Sequence, residues 1–118
     1  SPSAMRKAQE ISYLVNDHDR VVSVGPGWAE FARSNDGEEL TPESVTGREL
    51  WDFIRDEETR QLYREVLASV RNGRPASLVL RCDGPAERRL IELRVTRKDG
   101  DQVEFRSVQL GAKRRPRQ

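Results

Sequence analysis

A chain of 118 residues and 13.5 kDa forms one domain with one modest core, since a globule of this size buries roughly two thirds of its unfolded surface. Hydrophobic and charged residues each make up 35%, so nearly every apolar side chain is needed inside, and the regular patterning described below excludes a disordered chain. A net charge of +1 excludes a body-wide field that gathers nucleic acid, no apolar run approaches a membrane span, and one cysteine excludes an internal disulfide. These features predict a cytoplasmic protein with no membrane association.

Pro2 to Glu10 favours a short helix with Ala4, Met5 and Ala8 on one side, so residues 1–10 read as an N-terminal helix or cap that needs a docking surface. Ile11 to Val15 and Val21 to Val24 are strands of a hairpin around the turn formers Asn16-Asp17-His18-Asp19, and Gly25-Pro26-Gly27 ends it. Trp28 to Arg33 is a short helix with Trp28, Phe31 and Ala32 on one face, and Glu38 to Ser44 reads as a surface loop.

Gly47-Arg48-Glu49-Leu50-Trp51-Asp52-Phe53-Ile54 then crowds three large apolar side chains, Trp51, Phe53 and Ile54, into four positions. A turn-permitting glycine followed by such a segment predicts a lid folded over a sheet. Glu57 to Asn72 is a helix, with Leu62, Tyr63, Val66, Leu67 and Val70 recurring on one side, stopped by Gly73 and Pro75. The acidic group Asp52, Asp56, Glu57 and Glu58 is explained at a helix start by capping and by the helix dipole.

Three strands follow, Ser77 to Cys82, Arg88 to Arg97 and Gln102 to Leu110, joined by Asp83-Gly84-Pro85 and by Lys98-Asp99-Gly100-Asp101. Leu78, Leu80, Cys82, Ile91, Leu93, Val95, Val103 and Phe105 alternate onto the face beneath the lid. On the other face Glu92, Arg94, Glu104 and Arg106 are interrupted by Val79, Leu90, Val108 and Leu110, an apolar patch that wants a cover. With Met5, those residues form a candidate surface for the N-terminal helix or for a homodimer. Four of the 21 basic residues, Lys113, Arg114, Arg115 and Arg117, crowd the last eight positions, so 111–118 reads as a solvated basic tail or linker rather than a nucleic-acid contact.

The element order predicts an α+β fold, a five-stranded antiparallel sheet with helices on one face. Over residues 11–110 this layout resembles the PAS sensor family, in the Asp17 to Arg20 turn, Gly47-Arg48 before the lid, Asn72-Gly73 after the long helix and Lys98-Asp99-Gly100 in the last hairpin. Leu50-Trp51-Asp52-Phe53-Ile54 with Arg81-Cys82-Asp83-Gly84-Pro85 is similar to a bacterial PAS-like subgroup with an Arg-Cys-Asp-Ser-Pro motif, Gly84 standing for its serine. Gly25 stands where many PAS domains have asparagine.

The resemblance implies a sensory or protein-interaction module for signal transduction, without catalysis, working with an effector domain or partner protein. It also implies a ligand cavity between helices and sheet, with Trp28, Phe31, Trp51, Phe53, Tyr63, Leu80, Cys82, Ile91, Leu93 and Phe105 as candidate lining. The residues leave the cofactor unknown but argue against two. The single histidine, His18, sits in a turn between Asp17 and Asp19, against His-ligated haem, and Cys82 lies in no Asn-Cys-Arg motif, against cysteinyl-flavin photochemistry. No metal-ligand spacing, phosphate loop or nucleophile with a local base is present. The alternative is a small cone-shaped α+β enzyme in which Tyr13 or Tyr63 with an aspartate forms a buried base.

Overall fold

Polar turn residues set the first hairpin. A computed structural model describes residues 10–29, 32, 40–83 and 87–114, and only the backbone of 82, 83, 87–89 and 111–114. β1, Glu10–Val15, pairs antiparallel with β2, Val21–Val24. Between them the Asn16 side-chain carbonyl accepts from the His18 and Arg20 N–H groups, and Asp19 takes a positive φ of 61°, which short polar residues tolerate.

The chain continues through one helical turn, α1 at Pro42–Val45, a 3₁₀ turn at Leu50–Phe53, and the long helix α2 at Glu57–Arg71. β3 at Ala76–Asp83, β4 at Glu87–Lys98 and β5 at Gln102–Arg114 complete a sheet in the order β2-β1-β5-β4-β3. Every neighbouring pair is antiparallel. Asp56 caps α2 by accepting from the Thr59 N–H at 2.9 Å and the Thr59 hydroxyl at 2.8 Å, and those bonds, the hydroxyl's first, hold its carboxyl below the usual range. Among the described residues no helix is long and apolar enough to cross a membrane.

The α+β sheet and the long helix agree with the sequence reading, and three details differ. Pro42–Val45 is helical where a loop is expected, because Thr41 caps it by accepting from the Ser44 N–H and Pro42 fits a first turn. β5 runs four residues past Leu110, into the stretch read as a tail. Its register sets Glu87 opposite Arg114 and Arg88 between Asp83 and Lys113. Glu10 opens β1 rather than ending a helix, and the rest of the proposed N-terminal helix, with Met5, lies outside the described residues.

The core sits between α2 and the inner face of the sheet. Val66, Leu67 and Val70 of α2 meet Val15, Leu93, Val95, Val103 and Phe105. Phe105 is fully buried and stacks on Tyr13, its cross-strand neighbour, and on Tyr63 of α2, at ring-centroid distances of 5.0 and 5.7 Å. Phe105→Ala removes both stacks and opens a cavity in the middle of the core, and is expected to destabilise the fold by roughly 3–5 kcal/mol in urea unfolding. A loss below about 1 kcal/mol would place the centre of the core elsewhere.

Candidate functional site: a cavity between lid and sheet

The lid begins at Gly47, whose φ of 90° suits a residue without a side chain. Its first residues are stitched to β2: the Gly47 N–H donates to Val21 O at 2.7 Å, and the Val21 N–H to Arg48 O at 2.9 Å. The Leu50 N–H then donates to Asp19 O at 2.8 Å, which fixes the start of the 3₁₀ turn over the end of the first hairpin.

The buried residue of this turn is Leu50, whereas Trp51, Phe53 and Ile54 are only half-buried. That corrects the expectation that the three larger side chains would go under. A 3₁₀ turn points residues i and i+3 the same way, so Leu50 and Phe53 share the inward side, with Leu50 buried and Phe53 facing the cavity. The larger groups lie along the rim, where Arg48 covers the Phe53 ring at 4.7 Å and Arg64 covers Trp51 at 5.4 Å.

Two polar clasps hold the lid. The Asp19 carboxylate accepts from the Trp51 indole N–H at 3.1 Å and pairs with Arg71, near the end of α2, at 2.7 Å. Arg71 also donates to Asn16 O at 3.0 Å. At the other end Arg60, in the first turns of α2, donates to Trp51 O at 2.9 Å and to Ile54 O. Both ends of α2 are therefore tied to the lid.

Beneath the lid lies a cavity of about 250 Å³. All five strands form its floor, through Ile11, Tyr13, Val21, Leu80, Ile91, Leu93 and Ser107. Its cover is Trp28, Val45, Leu50, Phe53, Ile54 and Tyr63. The Trp28 indole N–H donates to Leu40 O at 2.8 Å, and its ring meets Tyr13 edge-on at 6.1 Å. Burial first, then the neighbouring Tyr63 side chain, pushes the Tyr13 pKa well above the usual value.

Of the residues expected to line the cavity, Trp28, Phe53, Tyr63, Leu80, Ile91 and Leu93 do so. Phe105 does not, because it is fully buried beneath the tyrosine rings, and Trp51 does not, because its indole turns away to Asp19. Phe31 and the Cys82 side chain lie outside the described residues. The reading missed Ile11, Tyr13, Val21, Val45, Leu50, Ile54 and Ser107 as lining; for Ser107 a signal was present, since in the inward series Val103, Phe105, Ser107 the third member is polar. His18 is exposed on the hairpin turn and is not part of the cavity lining. No group of three or more potential metal ligands occurs among the described residues.

Gly25 also has a local explanation. Its N–H donates to Ser12 O at 2.8 Å, and a side chain there would clash with the Ser12 hydroxyl unless that hydroxyl moved. The outer patch is present as expected, with Val79, Leu90 and Leu110 exposed at 61%, 49% and 55%, and Val108 half-buried beside them.

No family model and no curated protein matches the chain. Among solved structures, it is similar to a domain of an HTR-like protein from Haloarcula marismortui ATCC 43049, at a TM-score of 0.62 and 15% identity, over 87% of this chain and 99% of that one. The fold is PAS-like.

Asp19→Ala leaves the Trp51 indole and Arg71 without their shared acceptor, and is expected to cost roughly 2–3 kcal/mol in chemical unfolding. Asp17→Ala on the same turn, where the side chain is exposed, should change stability by less than about 0.5 kcal/mol. Equal effects would remove the clasp from the account. Because the Tyr13 pKa is raised in the folded state, stability should be unaffected below the ordinary tyrosine range and fall as pH rises above it. Tyrosinate absorbance should therefore show Tyr13 ionising together with unfolding.

Proposed function

We propose that this chain is a sensory module of signal transduction that binds a small molecule between lid and sheet and reports its presence through the lid and through self-association. The observation that carries this reading is the apolar cavity, floored by all five strands and closed by a lid that two clasps couple to both ends of α2. An occupant pressing on Leu50, Phe53 or Ile54 displaces the lid, and the lid bears on α2 through Asp19–Arg71 and Arg60. The domain of the HTR-like protein supports the reading through shared fold alone.

A non-catalytic role is favoured by the cavity's chemistry. A tyrosine base needs a lowered pKa, and Tyr13 is displaced the other way. The described lining contains no carboxylate to assist it.

Val79, Leu90 and Leu110 supply the surface for a second copy of the chain. Val79 stands directly opposite Glu92 in the sheet, so the patch borders the ion pairs that Arg94 makes with Glu92 and Arg106 with Glu10 and Glu104. A partner protein or effector domain would read the resulting change in geometry.

Native mass spectrometry of freshly purified protein tests both parts. The expected spectrum shows a dimer that carries a retained small molecule, loses the molecule in Leu80→Trp, and becomes monomeric in Leu90→Glu. A folded, monomeric wild-type protein that takes up no small molecule on screening would overturn the reading.

A further inference from the structure

The cavity floor specifies what kind of molecule fits, an inference that rests on the binding role just proposed. Among the described lining residues none is charged, so an ionised group entering the cavity would lose its hydration without gaining a partner. That selects a neutral ligand. An apolar cavity of about 150 Å³ holds benzene, so by scaling the 250 Å³ here accepts about ten non-hydrogen atoms.

The inner face of β5 shows where such a molecule is held. β5 is the middle strand of the five, and its inward series runs from Val103 and Phe105, both fully buried, to Ser107 and Gln109, both half-buried. The floor therefore changes from apolar to polar along one strand. Ser107 lines the cavity between its cross-strand neighbours Ile11 of β1 and Leu93 of β4, which are themselves buried lining residues. Gln109 stands opposite Ile91, a further lining residue, and so shares that face. Neither the Ser107 nor the Gln109 side chain makes a hydrogen bond among the described residues.

A hydroxyl set between two buried aliphatic side chains is as a rule partnered. The fold gives Ser107 no such partner, which leaves its hydroxyl to whatever fills the cavity. Serine donates one proton and accepts at its lone pairs, and glutamine also does both, so this end of the floor matches a group that itself donates and accepts.

We propose that the cavity takes a neutral alcohol of about ten non-hydrogen atoms, its hydroxyl held by Ser107 and its apolar body lying against the aliphatic and aromatic wall.

Four probes with the same number of non-hydrogen atoms separate the contributions: 2-phenylethanol, n-propylbenzene, 2-phenylethylammonium and benzoate, each titrated into the full chain and followed by amide chemical shifts. The alcohol and the hydrocarbon are expected to bind, and the two ions are not. Ser107→Ala is the deciding variant. It should weaken 2-phenylethanol about tenfold relative to n-propylbenzene, the ratio that one hydrogen bond of about 1.4 kcal/mol provides. Because the hydroxyl holds nothing within the described protein, the same variant should unfold at the wild-type temperature or above it.

An alcohol-to-hydrocarbon ratio that Ser107→Ala leaves unchanged, or a lower unfolding temperature in that variant, overturns the assignment of Ser107. Binding of either ion overturns the neutral class. Both results leave the binding role standing. If neither neutral probe binds, the native mass spectrum separates the two failures: a retained molecule overturns the alcohol class alone, and a spectrum without one overturns the binding role with it.

Discussion

A helix is only about 10 Å across, whereas five strands spaced about 4.8 Å apart present a face nearly twice as wide. One long helix therefore cannot cover this sheet. α2 closes the part above β3, β4 and β5, where Val66, Leu67 and Val70 meet Val95, Val103 and Phe105. The remainder must be roofed by short pieces, and the chain uses the 3₁₀ turn, α1 and Trp28 for that purpose. Short pieces lack the length to interdigitate as a helix does, and the cavity is the space left where two kinds of roof meet.

A short roof also has little stability of its own. The 3₁₀ turn buries one residue, Leu50, and an isolated turn of that length would not persist. Polar contacts at its two ends make up the deficit, with Asp19 joining the hairpin, the lid and Arg71, and Arg60 gripping the carbonyls of Trp51 and Ile54. These partly buried, charge-assisted bonds are stronger than surface ion pairs such as Arg64–Glu57. The lid is thus positioned by a few directional bonds, which can break and re-form, over a floor held by dense packing, which cannot.

Local pattern carried the parts of the fold that local forces decide. The recurrence of Leu62, Tyr63, Val66, Leu67 and Val70 identified α2, and alternation identified Leu93, Val95, Val103 and Phe105 as the floor, because helix and strand periods act over a few residues. Long-range pairing was invisible by the same logic. Asp19 and Arg71 stand 52 positions apart, and neither differs locally from an ordinary surface charge. Glu87 opposite Arg114 is equally non-local, so a basic segment that read as a tail proves to be strand. At the lid, side-chain size suggested the rings would be buried, but Leu50 is the residue that goes under. The cavity was legible through six of its lining residues, while Ser107 needed attention to one polar member of an inward series.

β5 has one further mechanical property. Ser107 in the cavity floor and Arg114 at the strand's far end belong to the same extended segment, about 23 Å apart at strand rise. Between them the pairing with β4 slips at Leu110, where two β5 residues answer one of β4 and the local coil of the ribbon tightens. A bulge bends its strand, so this one sets the direction in which residues 111–114 leave the floor of the cavity.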